Sequence, residues 1–264
     1  MERQKPIGIF DSGVGGLSIG HAIRTALPEE DLMYFADLGF SPYGVKATPI
    51  IRERSEYIVN FLINQGCKAV VVACNTATVN TISDLRSKFS IPIFGVEPGI
   101  KPAALQSKTG VIGVLATQQT LESDSFQQLK TTYSKMVTIE TMACPEFVSL
   151  VENLNHNGDK ATDVAEHYIR PLLSAGSDQI ILGCTHFSFL ISAINKVVGG
   201  EATIIDTATP VAMEVSRRLH ALNLENLNST QGKAAFWTSG NVANVIGPMS
   251  ELWGSGINVS EISP

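Results

Sequence analysis

Two cysteines in this chain stand where acid–base chemistry is easiest to build. Cys74 ends the apolar run Val70-Val71-Val72-Ala73, and Cys184 ends Ile180-Ile181-Leu182-Gly183. Each is followed by small polar residues, Asn75-Thr76 and Thr185-His186, that could begin a helix. A helix start offers unpaired N–H groups and a partial positive charge, which lowers a thiol pKa. The lever is small. A dipole contribution of about 0.3–1 kcal/mol moves a pKa by less than about one unit, so a thiol starting near about 8.5 stays largely protonated at neutral pH. Substrate charge or a neighbouring base must complete the activation. The pattern therefore predicts a paired acid and base facing each other across one small-molecule site. Cys67 and Cys144 read as small buried hydrophobes. Cys67 and Cys74 are too far apart for a zinc pair and no histidines have ligand spacing, so no metal is expected.

Other groups are candidates for tuning the thiols. Asp11 closes the first strand-like run, where it would raise the pKa of a nearby thiol, take its proton or hold an ammonium group. Asp37 closes the next run, and His186 lies two residues beyond Cys184. Glu152 ends Val148-Ser149-Leu150-Val151-Glu152. The loop Asp11-Ser12-Gly13-Val14-Gly15-Gly16 is not a dinucleotide fingerprint, because position 18 is Ser, and it lacks the Lys of a P-loop. Its backbone is expected to approach a small anion such as a carboxylate. Tyr43-Gly44, Asn75-Thr76 and Thr185 add neutral donors. No Arg or Lys is clustered with them, which favours an amino acid or small dicarboxylate over a phosphate.

Strands must hold these residues, since ligands of open α/β sheets bind beyond the carboxyl ends of strands. Strand-like runs cover Ile7 to Phe10, Leu32 to Ala36, Ala69 to Ala73, Ile93 to Val96, Val111 to Leu115, Gln179 to Leu182 and Ala202 to Ile205. Helical patterns lie between them, as in Arg52 to Asn64. Alternating strands and helices predict α/β architecture with mainly parallel sheets flanked by helices. A faint internal repeat organises the chain. Gly8-Ile9-Phe10-Asp11-Ser12 matches Gly113-Val114-Leu115-Ala116-Thr117, and Ser41-Pro42-Tyr43 matches Cys144-Pro145-Glu146. The two cysteine runs match each other, and Phe94-Gly95-Val96-Glu97 matches Thr203-Ile204-Ile205-Asp206. The expectation is two pseudo-symmetric α/β domains, 1–97 with 209–264 and 98–208, with the active site in the cleft between them. A polar, loop-like stretch from Asn223 to Lys233 precedes a last strand at Ala234 to Thr238.

The bulk properties agree. The 264 residues carry 44% apolar and 17% charged side chains with net charge −6. That is enough apolar material for two cores and gives no electrostatic reason to expect a nucleic-acid partner. No run of about 18 apolar residues suggests a membrane span, and the N-terminus does not read as a signal peptide. A cytoplasmic protein is expected.

With these residues assembled, a family pattern is recognisable. Ile9-Phe10-Asp11-Ser12-Gly13-Val14-Gly15-Gly16-Leu17, Pro42-Tyr43-Gly44, Ala73-Cys74-Asn75-Thr76-Ala77 and Gly183-Cys184-Thr185-His186-Phe187 resemble the glutamate racemases of the aspartate/glutamate racemase superfamily. The likeness runs from Ile7 to about Arg218. It implies a cofactor-independent isomerase that interconverts L- and D-glutamate for peptidoglycan, with glutamate as its small-molecule partner and a homodimer as the family-level expectation. By that resemblance Cys74 takes the proton from D-glutamate and Cys184 from L-glutamate, with Asp11 assisting Cys74 and His186 with Glu152 assisting Cys184. Asp37 has an auxiliary role. Substrate contacts fall on Asp11, Ser12, Pro42, Tyr43, Gly44, Asn75, Thr76, Thr185 and His186, and Thr117, the repeat's counterpart of Ser12, joins this set. Two departures, Ser188-Phe189 and Gly39-Phe40, flank motif residues. The alternatives are a racemase of aspartate or hydantoin, a one-cysteine decarboxylase, or a non-catalytic two-lobed amino-acid-binding protein.

Overall fold

The computed structural model describes residues 2–254 and 256–262. Ten strands are present among them: β1 Ile7–Asp11, β2 Leu32–Ala36, β3 Ala69–Val72, β4 Ile93–Gly95, β5 Val111–Ala116, β6 Thr138–Ala143, β7 Gln179–Gly183, β8 Thr203–Ile205, β9 Ala234–Thr238 and β10 Val259–Glu261. They form two sheets. The larger has the order β10-β9-β2-β1-β3-β4 and the smaller β6-β5-β7-β8. Every pairing is parallel. Helices connect the strands, as parallel pairing requires.

The central strands carry the signature of burial on both faces. β1, β3 and β7 are buried at every position, which is why they read as continuous apolar runs rather than alternating ones. β6 reads differently. Its Thr138-Ile139-Glu140-Thr141-Met142-Ala143 lies at a sheet edge and is largely half-buried, so its polar residues hid it from a search for apolar runs. β10 was missed for the same reason: it is a three-residue edge strand. The helix expected from Arg52 begins earlier, at Thr48–Asn64, with Pro49 in its first turn, where a missing N–H costs nothing.

The chain after Asp206 returns to the first sheet. Helix Ala208–Ala221 packs on helix Leu17–Ala26, and β9 pairs with β2. One apolar core runs across both sheets. It joins Ile9, Val71 and Phe94 on one side to Leu115, Leu182 and Phe187 on the other. The carboxyl ends of β1 and β3 therefore face those of β5 and β7 across a fixed gap. No described helix is long and apolar enough to cross a membrane.

Candidate active site

The gap holds a cavity of about 320 Å³ with both Cys74 and Cys184 in its wall. Ser12, Pro42, Tyr43, Gly44, Asn75, Thr76, Thr117, Thr185 and His186 also line it. Thus the two repeated cysteine motifs, 110 positions apart in the chain, meet at one site. Asp11, Asp37 and Glu152 are not in its lining.

Cys74 caps the helix Asn75–Lys88, and its sulfur accepts the Ala77 N–H at 3.4 Å. Its thiol donates to Ser12 Oγ at 3.7 Å. The helix start does not lower this thiol overall. Burial pushes it up to about 12, and the charge of Asp11 adds to the rise, while the Ala77 N–H and Ser12 pull the other way. Desolvation exceeds the helix contribution, as expected for a sulfur with only 5% of its residue surface exposed.

Cys184 has different company. It precedes the short 3-10 segment Thr185–Leu190 and makes no capping bond there. Its sulfur lies 3.7 Å from His186 Nδ1. The other ring nitrogen, Nε2, is 2.7 Å from Glu152 Oε1. Burial works against charge on this ring, but hydrogen bonds to Cys184 and Glu152 outweigh it and hold the imidazole well above its ordinary range. A doubly protonated ring donates to the sulfur on one side and to the carboxylate on the other.

The glycine loop binds carboxylates, though the ones at hand are the protein's own. Gly13 N–H donates to Asp11 Oδ1 at 2.9 Å, and Val14 N–H donates to Glu152 Oε1 at 3.2 Å. The glycines are needed for close approach. A Cβ on Gly13 would sit 2.1 Å from Glu152 Oε1, and one on Gly15 would sit 2.3 Å from His186 Nδ1. The first half of the chain is therefore moulded around the charged pair of the second.

Asp11 is wholly buried behind Ser12. Its Oδ2 accepts from Thr185 Oγ1 at 3.0 Å, so it links the two halves, and burial raises its carboxyl pKa. It is not among the residues that line the cavity. Asp37 also lies outside the cavity lining. Both its oxygens are taken, by Arg54 Nε and Nη2, Ser239 Oγ and the Tyr43 hydroxyl. It orients Tyr43, which does line the cavity, and has no free lone pair directed at the reacting space.

The opposite wall is neutral. The hydroxyls of Thr76, Thr117 and Thr120 form a ring with separations of 2.9, 2.9 and 3.1 Å. Asn75 is buried with neither amide atom bonded to any of the described residues, and it lines the cavity. Thr120 was not singled out from the sequence. Pro145 was also missed, although the repeat pairs it with Pro42, and both line the cavity. The two departures from the family pattern find partners within the chain. Ser188 donates to Asp206 at 2.6 Å, and Phe40 lies under the Arg54 guanidinium at 3.9 Å. No group of three His, Cys, Asp or Glu among the described residues could hold a metal.

The cavity thus has two thiols in its wall, one of them beside a His–Glu pair. Comparison with known proteins places the chain in a family. The sequence model of the Asp/Glu/Hydantoin racemase family matches residues 18–215. A glutamate racemase of Herpetosiphon aurantiacus is 45% identical over 242 residues, covering 92% of this chain and 95% of that one. The crystal structure of a glutamate racemase isoform from Bacillus anthracis superposes with a TM-score of 0.90 at 32% identity, over 99% of this chain and 98% of that one. The Escherichia coli glutamate racemase, crystallised with L-glutamate and the activator UDP-MurNAc-ala, gives 0.83 at 30% identity over 97% of both chains. With two opposed cysteines in its central cavity and these relatives along nearly its whole length, the chain belongs to the Asp/Glu/Hydantoin racemase family.

Proposed function

We propose that this protein interconverts L- and D-glutamate by a two-base mechanism in which Cys74 and Cys184 act on opposite faces of the α-carbon, and that it supplies D-glutamate for peptidoglycan. The observation that carries the mechanism is the shared cavity: one thiol enters it from the end of β3 and the other from the end of β7. A planar carbanion exposes two faces, and one side chain cannot reach both. The substrate assignment is supported by the relatives' own substrate and by a lining without Arg or Lys, in which the Asn75 amide, without a hydrogen-bond partner among the described residues, can meet a substrate carboxylate or ammonium.

Burial and the charge of Asp11 push the Cys74 thiol up to about 12, so it is protonated at neutral pH. At rest it is an acid, ready to deliver a proton. The His186 imidazolium beside Cys184 is the counter-charge that a thiolate needs there. In the L-to-D direction Cys184 takes the substrate proton and Cys74 gives one back. For the reverse, the substrate ammonium and the Ala77 and Ser12 donors must offset the cost of ionising Cys74. High basicity is also useful once the thiolate forms, because proton abstraction from a weak carbon acid speeds up with base strength. Asp11 acts on Cys74 through charge and holds Thr185, and Asp37 positions Tyr43.

The test is to assay racemisation of each glutamate enantiomer without added cofactor, with aspartate in parallel. Cys74→Ser and Cys184→Ser should each abolish measurable racemisation. A variant that racemises at near wild-type rate sinks the two-base reading, and turnover of aspartate in preference to glutamate sinks the substrate assignment.

A further inference from the structure

A buried hydroxyl in the first half is aimed at a backbone carbonyl rather than at the substrate cavity. Tyr34 lies in β2, 2% exposed, with its ring in the apolar core near Phe236. A phenylalanine ring would fill the same space, so packing alone does not require the hydroxyl. The hydroxyl donates to the Gly13 carbonyl at 2.7 Å. That carbonyl accepts no other hydrogen bond from the described residues. Burial, with the charges of Asp11 and Glu152, holds the phenol well above its ordinary range, so it keeps the proton it donates. Tyr34 is not in the cavity lining.

The carbonyl of Gly13 and the N–H of Val14 belong to one planar peptide group, and its two ends point opposite ways. Tyr34 holds the oxygen end, and the N–H end donates to Glu152 Oε1 at 3.2 Å. The same Oε1 stands 2.7 Å from His186 Nε2, while His186 Nδ1 faces the Cys184 sulfur. One peptide thus connects the core of the first half to the charged pair of the second. Two features make that connection need a fixed anchor. Gly13 has no Cβ to restrict its backbone, so the peptide plane is free to turn. Glu152 has a side chain 22% exposed, so solvent competes for its carboxylate. The repeat does not supply the anchor twice. Ala36 pairs with Asp11 as Ala143 pairs with Ala116, which sets Thr141 of β6 at the position of Tyr34.

We propose that Tyr34 is a positioning residue for the Cys184 side of the reaction: its hydroxyl fixes the Gly13–Val14 peptide, whose N–H keeps Glu152 on His186. The proposal rests on Cys184 being one of the two bases. Tyr34 transfers no proton. The imidazolium stays doubly protonated, with Nδ1 donating to the sulfur and Nε2 to the carboxylate. Without the hydroxyl the buried Gly13 carbonyl has no partner, the peptide turns to find one, and the Val14 N–H leaves Glu152. The Cys74 side does not depend on this peptide. The partners of that thiol are Ser12 Oγ and the Ala77 N–H, and the Gly13 N–H that holds Asp11 belongs to the preceding peptide group.

Tyr34→Phe keeps the ring and removes the one hydroxyl. Exchange in variants that retain a single thiol separates positioning from a general loss of structure. In Cys74→Ala, adding Tyr34→Phe should slow deuterium entry into L-glutamate by about tenfold, the weight of one hydrogen bond that orients a working group. In Cys184→Ala, the same change should leave entry into D-glutamate within about twofold of its rate. Proton NMR of the α-position in deuterated water reads both. A comparison with Glu152→Ala gives a second reading in the protein with both thiols. Tyr34→Phe should lower kcat several-fold on its own and add no further loss once the Glu152 carboxylate is gone, because the two act in series. Equal slowing of both exchanges overturns the proposal, as does unchanged entry into L-glutamate or a loss that adds in full to that of Glu152→Ala. Failure of the underlying two-base reading would show separately, as racemisation that survives Cys184→Ser.

Discussion

The two halves of the site are equivalent in topology and unequal in charge. The strand order β2-β1-β3-β4 in one sheet corresponds to β6-β5-β7-β8 in the other. In that correspondence Cys74 matches Cys184, Asp11 matches Ala116, Ser12 matches Thr117, Asn75 matches Thr185 and Thr76 matches His186. The scaffold repeats the thiol and changes its neighbours. Around Cys74 the hydrogen-bond partners are a hydroxyl and a backbone N–H, and the thiol is pushed up to about 12. Around Cys184 stands a charged imidazole held by a carboxylate. A symmetric reaction is thus run by an asymmetric pair.

Thermodynamics restricts where that asymmetry can be seen. Free L- and D-glutamate have equal energies, so kcat/KM must be identical in the two directions at every pH and in every variant. Differences between the halves can appear only in kcat and KM separately, in isotope exchange or in thiol reactivity. The largest expected effect uses exchange. Cys74→Ala should lose racemisation by at least about 10²–10⁴-fold, the usual weight of a positioned acid or base. It should still wash deuterium into L-glutamate through Cys184, and not into D-glutamate. Cys184→Ala should show the reverse preference. Proton NMR of the α-position in deuterated water reads both, and exchange of the same enantiomer by both variants would break the assignment of faces.

Next in size is a stability effect that separates positioning charges from reacting ones. Arg54 lies 2.8 Å from Asp37, with both side chains buried. Arg54→Met leaves Asp37 with an uncompensated charge, and should cost about 3–5 kcal/mol in denaturant unfolding. Because Asp37 holds Tyr43 in the cavity wall, the folded fraction should show a raised KM with little change in kcat. Glu152→Gln should do the opposite, lowering kcat with little change in the unfolding midpoint. Two variants with the same KM-to-kcat split would erase the distinction between these carboxylates.

How far the sequence carried this picture depends on burial. Strands β1, β3 and β7 were legible because burial on both faces makes them uninterrupted apolar runs, and the thiols follow directly at their ends. β6 was not, because an edge strand tolerates Thr138, Glu140 and Thr141. The cavity residues adjacent to a cysteine, Asn75, Thr76, Thr185 and His186, came with the motif. Thr120 belongs to a hydroxyl ring closed only when the halves meet, and no local pattern announces it. The glycine loop shows the same limit in reverse. Its composition pointed to an anion near the backbone, but that Glu152, 138 residues away, accepts the Val14 N–H is a fact of tertiary structure.

Thiol labelling offers a smaller and direct contrast. Alkylation requires the thiolate. For Cys74 the rate should therefore rise about tenfold per pH unit through the neutral and mildly alkaline range, since its pKa lies far above. Cys184, with an imidazolium at its sulfur, should label first at neutral pH. Peptide mass spectrometry after brief exposure to a small alkylating reagent gives the order. Cys74 labelling ahead of Cys184 near pH 7 would break the contrast drawn between the two thiols.

The smallest effect is on stability against pH, and its sign is fixed by the same imidazole. In the folded protein His186 holds its proton well above the ordinary 6.5 of the unfolded chain. Above 6.5 the folded state therefore binds more protons than the unfolded state, so this group's contribution is full at lower pH and falls as pH rises. The slope is at most about 1.4 kcal/mol per pH unit for one proton, and it ends when the folded ring itself titrates. Asp11, whose pKa is also raised, adds a slope of the same sign in a lower window that begins near 3.8. The two windows can be told apart. His186→Asn should flatten the unfolding free energy only above about pH 6.5, and Asp11→Asn only on the acid side. A midpoint that stays pH-dependent between about pH 6.5 and 8, below the range where buried thiols contribute, in His186→Asn would mean that the charge beside Cys184 resides elsewhere, and the contrast between the two thiols would have to be rebuilt without it.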